Sequence, residues 1–256
     1  EIYYGQEIRF YALMNVFALV ALQGTFWYVH QRPKRGLLLA LIGNAGLVWT
    51  HSFTVVFVAA LGIYMLHRWR EPRRLLNWWV AHSVLALVFL IWTFGIAYDV
   101  GANSTAFADQ TAGWRELVST ALQLAGGRFS NWSTAPYLPA GGWVDLAIGA
   151  VVVLLVATGI FHLLLFRRDT EESGPARSDL VLLLVALVVP VLLLFFLGKV
   201  WRPCFFTRYV VYTALPLYAL VGLSMASLPQ GWCRRSVALI LIGLFAWQNL
   251  ALPRPF

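Results

Sequence analysis

Two long runs of apolar residues constrain the fold of this chain more than any other feature. They are VDLAIGAVVVLLVATGIFHLLLF (144–166) and LVLLLVALVVPVLLLFFLG (180–198). Each reaches the length of roughly 18 residues at which an apolar stretch becomes a candidate transmembrane helix. Over all 256 residues, 60% are hydrophobic and 12% are charged. In a typical soluble domain, about 45–50% of the residues are apolar and about 25% are charged. This apolar excess exceeds what a core of this size can bury, so the composition excludes an ordinary soluble domain.

The spacing of the apolar runs predicts an all-α, multi-pass transmembrane helical bundle of about eight spans, formed as a single domain over residues 1–256. The predicted segments are 10–29, 37–50, 54–67, 77–98, 143–166, 179–199, 208–226 and 236–252. The second and third segments are each short for a full crossing. They are therefore either half-length helices that meet at WTHSF (49–53) or a tilted pair.

The net charge of +8 has a common cause in membrane proteins, because Lys and Arg are retained in cytoplasmic loops. With the N-terminus outside, 12 of the 19 basic residues fall in four short loops on one side of the membrane. Those loops are 30–36, 67–76, 167–179 and 229–235. We therefore expect a protein of the cytoplasmic (inner) membrane with both ends of the chain outside, and we expect no nucleic acid as a partner.

The longest polar stretch, 99–142, then becomes an outer loop. Within it, TAGWRELVSTALQLAGG (111–127) has apolar residues at helical spacing and ends in two glycines, which predicts an amphipathic helix. The apolar residues are Trp114, Leu117, Val118, Ala121 and Leu124. Two arrangements stay open: the helix lies in the membrane interface, or it packs on the protein's own outer surface.

Three cations gather at the predicted outer turn between the sixth and seventh spans: Lys199, Arg202 and Arg208. Arg offers bidentate hydrogen bonds to phosphate oxygens and Lys adds a point charge, so the cluster suits a phosphate at headgroup depth. The alternatives are that Lys199 and Arg202 extend to lipid phosphates and that Arg208 belongs to a structural ion pair.

Four further residues are predicted to line the same outer cavity, since ionisable groups at membrane depth usually face water or a partner. Glu7 and Arg9 lie at the outer end of the first span, His51 lies at the apex between the second and third segments, and Tyr209 follows Arg208. The alternatives are a helix-entry charge for Arg9 and a hydrogen-bonded residue at a helix break for His51.

The remaining histidines and the cysteines give no sign of a metal site. His30 and His82 are interpreted as structural or exposed residues. Cys204 and Cys233 are predicted on opposite sides of the bilayer, so we expect no disulfide between them, and their spacing gives no zinc pattern. No cofactor is evident from the residues themselves.

Three stretches together resemble the bacterial membrane glycosyltransferases of family 39, which are related to the dolichyl-phosphate-mannose protein mannosyltransferases. YYGQEIRFYAL (3–13) is similar to the family's YSQEARMYAL pattern, and LVWTHSFTVVFVAALGIYML (47–66) is similar to its YTHYF stretch. WRPCFFTRYVVYTALPLYALVGL (201–223) resembles the family's run of Pro, four residues, Arg-Tyr and a later Pro. The three stretches occur in the family's order, and the likeness covers most of the chain.

The resemblance implies a GT-C architecture with its active site on the outer face. Such enzymes transfer a sugar from a polyprenyl-phosphate donor to a protein, lipid or glycan acceptor, and the resemblance also allows a divalent metal. In the family, the acid expected to act as general base lies in an outer loop after an earlier span. We therefore expect that first span and the catalytic acid upstream of Glu1, and the chain from Glu1 onward to be a fragment that lacks activity by itself.

Two other functions stay open. The first is a transporter or flippase of a lipid-linked or anionic substrate, although Pro190 and Pro216 have no matching pair in the first half of the chain, as repeated transporter halves would have. The second is a non-catalytic membrane scaffold with the same fold.

Overall fold

The described part of the protein, given by a computed structural model, is helical throughout. The structure describes residues 2–67, 71–100, 113–126, 143–165, 173–200, 207–228 and 231–250, and within these ranges it contains no β-strand. The described residues form nine α-helices and two 3-10 helices: α1 (Ile2–His30), α2 (Pro33–Thr50), η1 (Ser52–Thr54), α3 (Val55–His67), α4 (Pro72–Val100), α5 (Trp114–Gly126), α6 (Trp143–Leu165), α7 (Ser173–Val200), η2 (Thr207–Thr213), α8 (Ala214–Ser227) and α9 (Trp232–Leu250). The predicted all-α class is confirmed for this part of the chain.

Three helical stretches within the described residues are long and apolar enough to cross a membrane: Phe10–His30, Pro72–Ile91 and Asp179–Val200. Three shorter apolar helices accompany them, at Ser52–His67, Ala147–Phe161 and Val210–Ala226. Every predicted apolar segment overlaps a helix. The apolar runs therefore locate the helices, while length and composition make three of them candidate membrane spans.

The predicted span at 208–226 differs from the structure, because the chain forms the 3-10 helix η2 up to Thr213 and only then the α-helix α8. Pro216 is the third residue of α8. Proline lacks an amide hydrogen and its ring clashes with the carbonyl group four residues earlier, so it is tolerated in the first turn of an α-helix and not in its interior. The proline thus favours an α-helix that begins shortly before it.

Two predicted loops are partly helical. α4 begins at Pro72 and α9 at Trp232, so Arg73, Arg74, Arg234 and Arg235 lie in helices and not in connecting loops. Proline at the first helical position has the backbone angle that a helix requires, which explains the early start of α4. The hydropathy pattern did not predict these polar first turns, because it detects only the apolar residues that follow them in the same helix.

The break at WTHSF is confirmed. α2 ends at Thr50, and His51 has extended backbone angles, φ −158° and ψ 122°. Its amide nitrogen donates to the Leu47 carbonyl oxygen at 3.0 Å, and its own carbonyl oxygen accepts the Thr54 hydroxyl at 2.7 Å. The chain thus turns from α2 through η1 into α3 with these backbone groups paired.

The described residues divide into two compact units. The first comprises the described residues of Glu1–Thr111 and Leu184–Leu215, and the second those of Ala112–Leu183 and Pro216–Phe256. The single domain over residues 1–256 that the sequence predicts stays a prediction.

The first unit is built around the close pair α1 and α2. Gly24, Gly36 and Gly43 lie where the two backbones meet; a Cβ atom at Gly24 would lie 2.7 Å from the Leu39 carbonyl carbon, and one at Gly43 would lie 2.7 Å from the Ala21 Cα atom. Small residues at helix interfaces allow such close approach, and this arrangement is typical of membrane helices. The backbones can lie this close only because these three positions carry no side chain.

The same unit is tied together at the C-terminal end of α1 by α4. The Tyr28 hydroxyl donates to the Arg74 carbonyl oxygen at 2.6 Å, and the Arg74 guanidinium donates to the Val29 carbonyl oxygen, also at 2.6 Å. Glu71 accepts from Arg74 at 3.0 Å. Since the last carbonyl groups of a helix lack partners within it, Arg74 both caps α1 and fixes α4 beside it.

In the second unit, α5 packs on α6 and α6 packs on α9. Gly159 of α6 lies against Ser224 of α8, where a Cβ atom would come within 2.6 Å of the Ser224 Cα atom. The Tyr218 hydroxyl of α8 donates to the Leu124 carbonyl oxygen of α5 at 3.3 Å. The predicted helix in the 99–142 stretch is therefore present as α5 and belongs to this unit.

Candidate functional site

The candidate site lies in the first unit, where the two 3-10 helices meet. η2 contacts both η1 and α1, and η1 also contacts α2 and α3. These elements contain parts of the three stretches that carry the family resemblance, although the stretches are far apart along the chain. The fold therefore brings the segment that starts at Thr207-Arg208 next to the turn that follows His51.

Buried residues in its second half hold η2 in place. Val210 and Tyr212 are fully buried, and the Tyr212 ring meets the Phe57 ring of α3 edge-on, with ring centroids 5.1 Å apart. The Thr213 hydroxyl donates to the Val210 carbonyl oxygen at 2.6 Å. Edge-to-face aromatic pairs add roughly 0.5–1.5 kcal/mol to the burial of their apolar surface. These residues anchor η2, and with it the backbone at Arg208 and Tyr209, beside α3.

His51 stands at the beginning of η1 and is half-buried. Its Nδ1 atom accepts from the Phe53 amide nitrogen at 3.3 Å, and its ring lies 5.6 Å from the Phe53 ring. The interpretation of His51 as a hydrogen-bonded residue at a helix break is confirmed. An Nδ1 atom that accepts this bond carries no proton, so Nε2 carries the single proton of the neutral ring.

Lys199 is exposed in the last turn of α7, with its Nζ atom 5.6 Å from the centroid of the buried Phe195 ring. A cation over an aromatic face is attracted by the ring quadrupole, and the lysine charge also suits the C-terminal end of a helix. Arg202 lies outside the described residues, as do the side chains of Arg208 and Tyr209. The predicted gathering of three cations thus remains a prediction.

Glu7 and Arg9 are helical in backbone, within the first turns of α1, but their side chains lie outside the described part. Cys204 and the side chain of Cys233 also lie outside it. Among the described residues, no group of three or more His, Cys, Asp or Glu side chains is placed to hold a metal ion. The divalent metal that the family resemblance allows stays a prediction.

Sequence reasoning missed a buried polar pair between α2 and α4. The His82 Nε2 atom lies 2.8 Å from the Asn44 Nδ2 atom, and His82 Nδ1 lies 2.9 Å from the Trp78 carbonyl oxygen. A carbonyl oxygen only accepts, so Nδ1 carries the proton and Nε2 accepts from the Asn44 amide. Asn44 is fully buried and His82 is 7% exposed. The sequence did contain a signal for this pair: Asn44 is the single polar residue in the apolar run LLLALIGNAGLVW (37–49). A buried polar side chain needs a hydrogen-bond partner.

The Asn44–His82 pair is structural in character. The Trp78 ring stacks on the His82 ring at 4.1 Å, and the Tyr28 ring lies 5.7 Å from the Trp78 ring. The interpretation of His82 as a structural residue agrees with this burial and bonding. The pair joins α2 to α4 and does not form part of the site at η1 and η2.

Comparisons of the chain with protein-family models, with curated proteins and with solved structures found no match.

Proposed function

We propose that the chain is the membrane-embedded part of a glycosyltransferase that moves a sugar from a polyprenyl-phosphate donor to an acceptor on the outer face of the membrane. The observation that carries the proposal is the contact of η2 with η1 and α1. A lipid-linked donor enters from the bilayer with its phosphate at headgroup depth, and the start of η2 provides Arg208 for that phosphate. The resemblance to family 39 and the three helices of membrane-spanning length support the same function.

The reaction balances as a displacement at the anomeric carbon. The acceptor hydroxyl oxygen forms a bond to that carbon, and the bond between the carbon and the donor phosphate oxygen breaks with its electron pair on the phosphate. The hydroxyl proton passes to a carboxylate base. The role of Arg208 is to stabilise the charge that develops on the leaving phosphate, with Lys199 and Arg202 adding positive potential.

Donor binding tests the proposal without requiring the catalytic base. The chain is reconstituted in lipid nanodiscs and titrated with a radiolabelled polyprenyl phosphate, with the uncharged polyprenol as a comparison ligand. A hydrogen bond to a charged group contributes about 1.5–3 kcal/mol, so Arg208→Ala is expected to weaken phosphate binding about 10-fold to 100-fold. Arg35→Ala is the matched control, since it removes one exposed cation at the start of α2 and is expected to leave binding unchanged.

Transfer is then measured with the full-length protein in membranes, with polyprenyl-phosphate mannose as the donor. Loss of a group that stabilises transition-state charge lowers kcat about 10²–10³-fold, and this loss is expected for Arg208→Ala. Equal binding of polyprenyl phosphate and polyprenol, or equal binding by the Arg208→Ala and unmodified chains, would refute the role of Arg208. Movement of the donor across the bilayer without sugar transfer would favour the flippase instead.

A further inference from the structure

α5 exposes apolar side chains and buries two polar ones beside the apolar Leu124 and Ala125. Ser119 is 5% exposed and Thr120 is 1% exposed, whereas Val118 is 60% exposed and Trp114 is 68% exposed. Ala121 is also exposed. The outer ridge, formed by Trp114, Val118 and Ala121, is thus apolar. A helix at a water-facing surface buries its apolar stripe and exposes its polar residues.

Polar groups of α5 have hydrogen-bond partners within the helix, at its start and on α8. The Gln123 amide donates to the Ser119 hydroxyl at 3.0 Å, and the Glu116 carboxylate accepts from the Gly113 amide at 2.5 Å at the start of the helix. At the other end, the Tyr218 hydroxyl donates to the Leu124 carbonyl oxygen. Internal partners of this kind are what a helix needs in an apolar phase, where water does not satisfy its polar groups.

The helix on which α5 packs is apolar on its exposed side as well. On α6, Val153, Leu154 and Phe161 are 63%, 66% and 61% exposed. A Cβ atom at Gly149 of α6 would lie 2.5 Å from the Leu122 side chain of α5, so the two helices are in close contact there. Exposed apolar side chains on two packed helices mark a surface that meets lipid or a partner. Their exposure on a helix as apolar as α6 favours lipid.

We propose that α5 is embedded in the outer interface of the bilayer, with its outer ridge directed at the acyl chains and its polar edge against the protein. Its 13 residues extend over about 20 Å, which is too short for the roughly 30 Å hydrocarbon core, so the helix lies along the interface. Trp114 at its first turn suits the headgroup boundary, where tryptophan is enriched. The proposal rests on the chain being in a bilayer and not on sugar transfer.

Spin labels on α5 test this arrangement in the full chain. Cys204 and Cys233 are replaced by Ser, and single nitroxides are attached through Val118→Cys or Ala121→Cys in vesicles of phosphatidylethanolamine and phosphatidylglycerol. Leu154→Cys on α6 is the reference for lipid and Arg35→Cys is the reference for water. Collisions with oxygen, which partitions into lipid, are compared with collisions with a water-soluble nickel chelate.

The ratio of oxygen to nickel collisions at both ridge positions is expected to exceed that at Arg35→Cys several-fold and to approach that at Leu154→Cys. A ratio equal to the water reference would overturn the proposal. Low collision rates with both reagents would also overturn it, because they would mean that a second copy or another segment covers the ridge. Ala121→Cys adds only one sulfur atom at an exposed position, so it keeps the test valid if Val118→Cys fails to fold. The readout needs no donor, so a failure of phosphate binding leaves it unaffected.

Discussion

Gly24→Ala is expected to destabilise the first unit although alanine is the better helix former. A Cβ atom at residue 24 would lie 2.7 Å from the Leu39 carbonyl carbon and 2.8 Å from the Ala40 Cα atom, and it would come closer still to the Ala40 amide nitrogen. All three atoms belong to the backbone of α2. No side-chain rotation relieves the contact, so the added methyl group must separate α1 from α2.

The size of the effect follows from the geometry. Ordinary van der Waals contact begins at 3.4 Å, so the Leu39 contact alone requires the two helices to move apart by about 0.7 Å. A gap of about 0.5–1 Å removes a quarter to a half of the dispersion energy of each contact across the interface. Overpacking of a close-packed site costs about 1–3 kcal/mol, while replacing glycine by alanine in a helix contributes up to about 1 kcal/mol. The expected net loss in the free energy of unfolding is therefore up to about 2 kcal/mol.

Gly222→Ala is the matched control, since a Cβ atom at this glycine of α8 would have no atom within 4 Å. It is expected to keep or raise the free energy of unfolding by up to about 1 kcal/mol. The measurement is unfolding of the purified protein in mixed micelles by increasing fractions of sodium dodecyl sulfate, followed by tryptophan fluorescence. Equal stabilisation by the two substitutions would refute the close approach of α1 and α2.

The remaining predictions concern polar contacts within the first unit and use the same unfolding measurement. Asn44→Leu and His82→Phe each leave a buried partner without its hydrogen bond and are each expected to cost about 1–3 kcal/mol, whereas the double substitution is expected to cost less than the sum; additive losses would contradict the pairing. Tyr28→Phe removes a neutral hydrogen bond and is expected to lower the free energy of unfolding by about 1 kcal/mol. Arg74→Ala is expected to lower it by about 1.5–3 kcal/mol, because the bond of Arg74 to the Val29 carbonyl oxygen is charge-assisted. A smaller loss for Arg74→Ala than for Tyr28→Phe would contradict this reading of the α1 cap.

The helical class and the positions of the apolar helices were predictable because each depends on local composition. The break at His51 and the helix at Trp114–Gly126 were also predictable from local patterns. The 3-10 form of the Thr207–Thr213 segment was not predicted, because hydropathy counts apolar residues and is indifferent to helix type. Pro216 was the local signal for where the α-helix begins, and it was read only as a possible transporter feature.

For the candidate site, the sequence supplied the residues and their order along the chain, but not their proximity. The contact between η2 and η1 joins segments about 150 residues apart, and local patterns do not specify such long-range contacts. The orientation of α5 likewise depends partly on local sequence and partly on long-range contacts. Its periodic spacing placed Trp114 and Val118 on one face, while the direction of that face depends on how α6 and α8 pack against α5.

The sequence by itself determined that this chain is α-helical and too apolar for an ordinary soluble domain, since the length and hydropathy of each segment are properties of neighbouring residues. Only the tertiary structure decided that Gly24, Gly36 and Gly43 mark a contact between two backbones and that Asn44 pairs with His82. The physical reason is that close packing and buried hydrogen bonds depend on which helices face each other, and this information lies in no single segment.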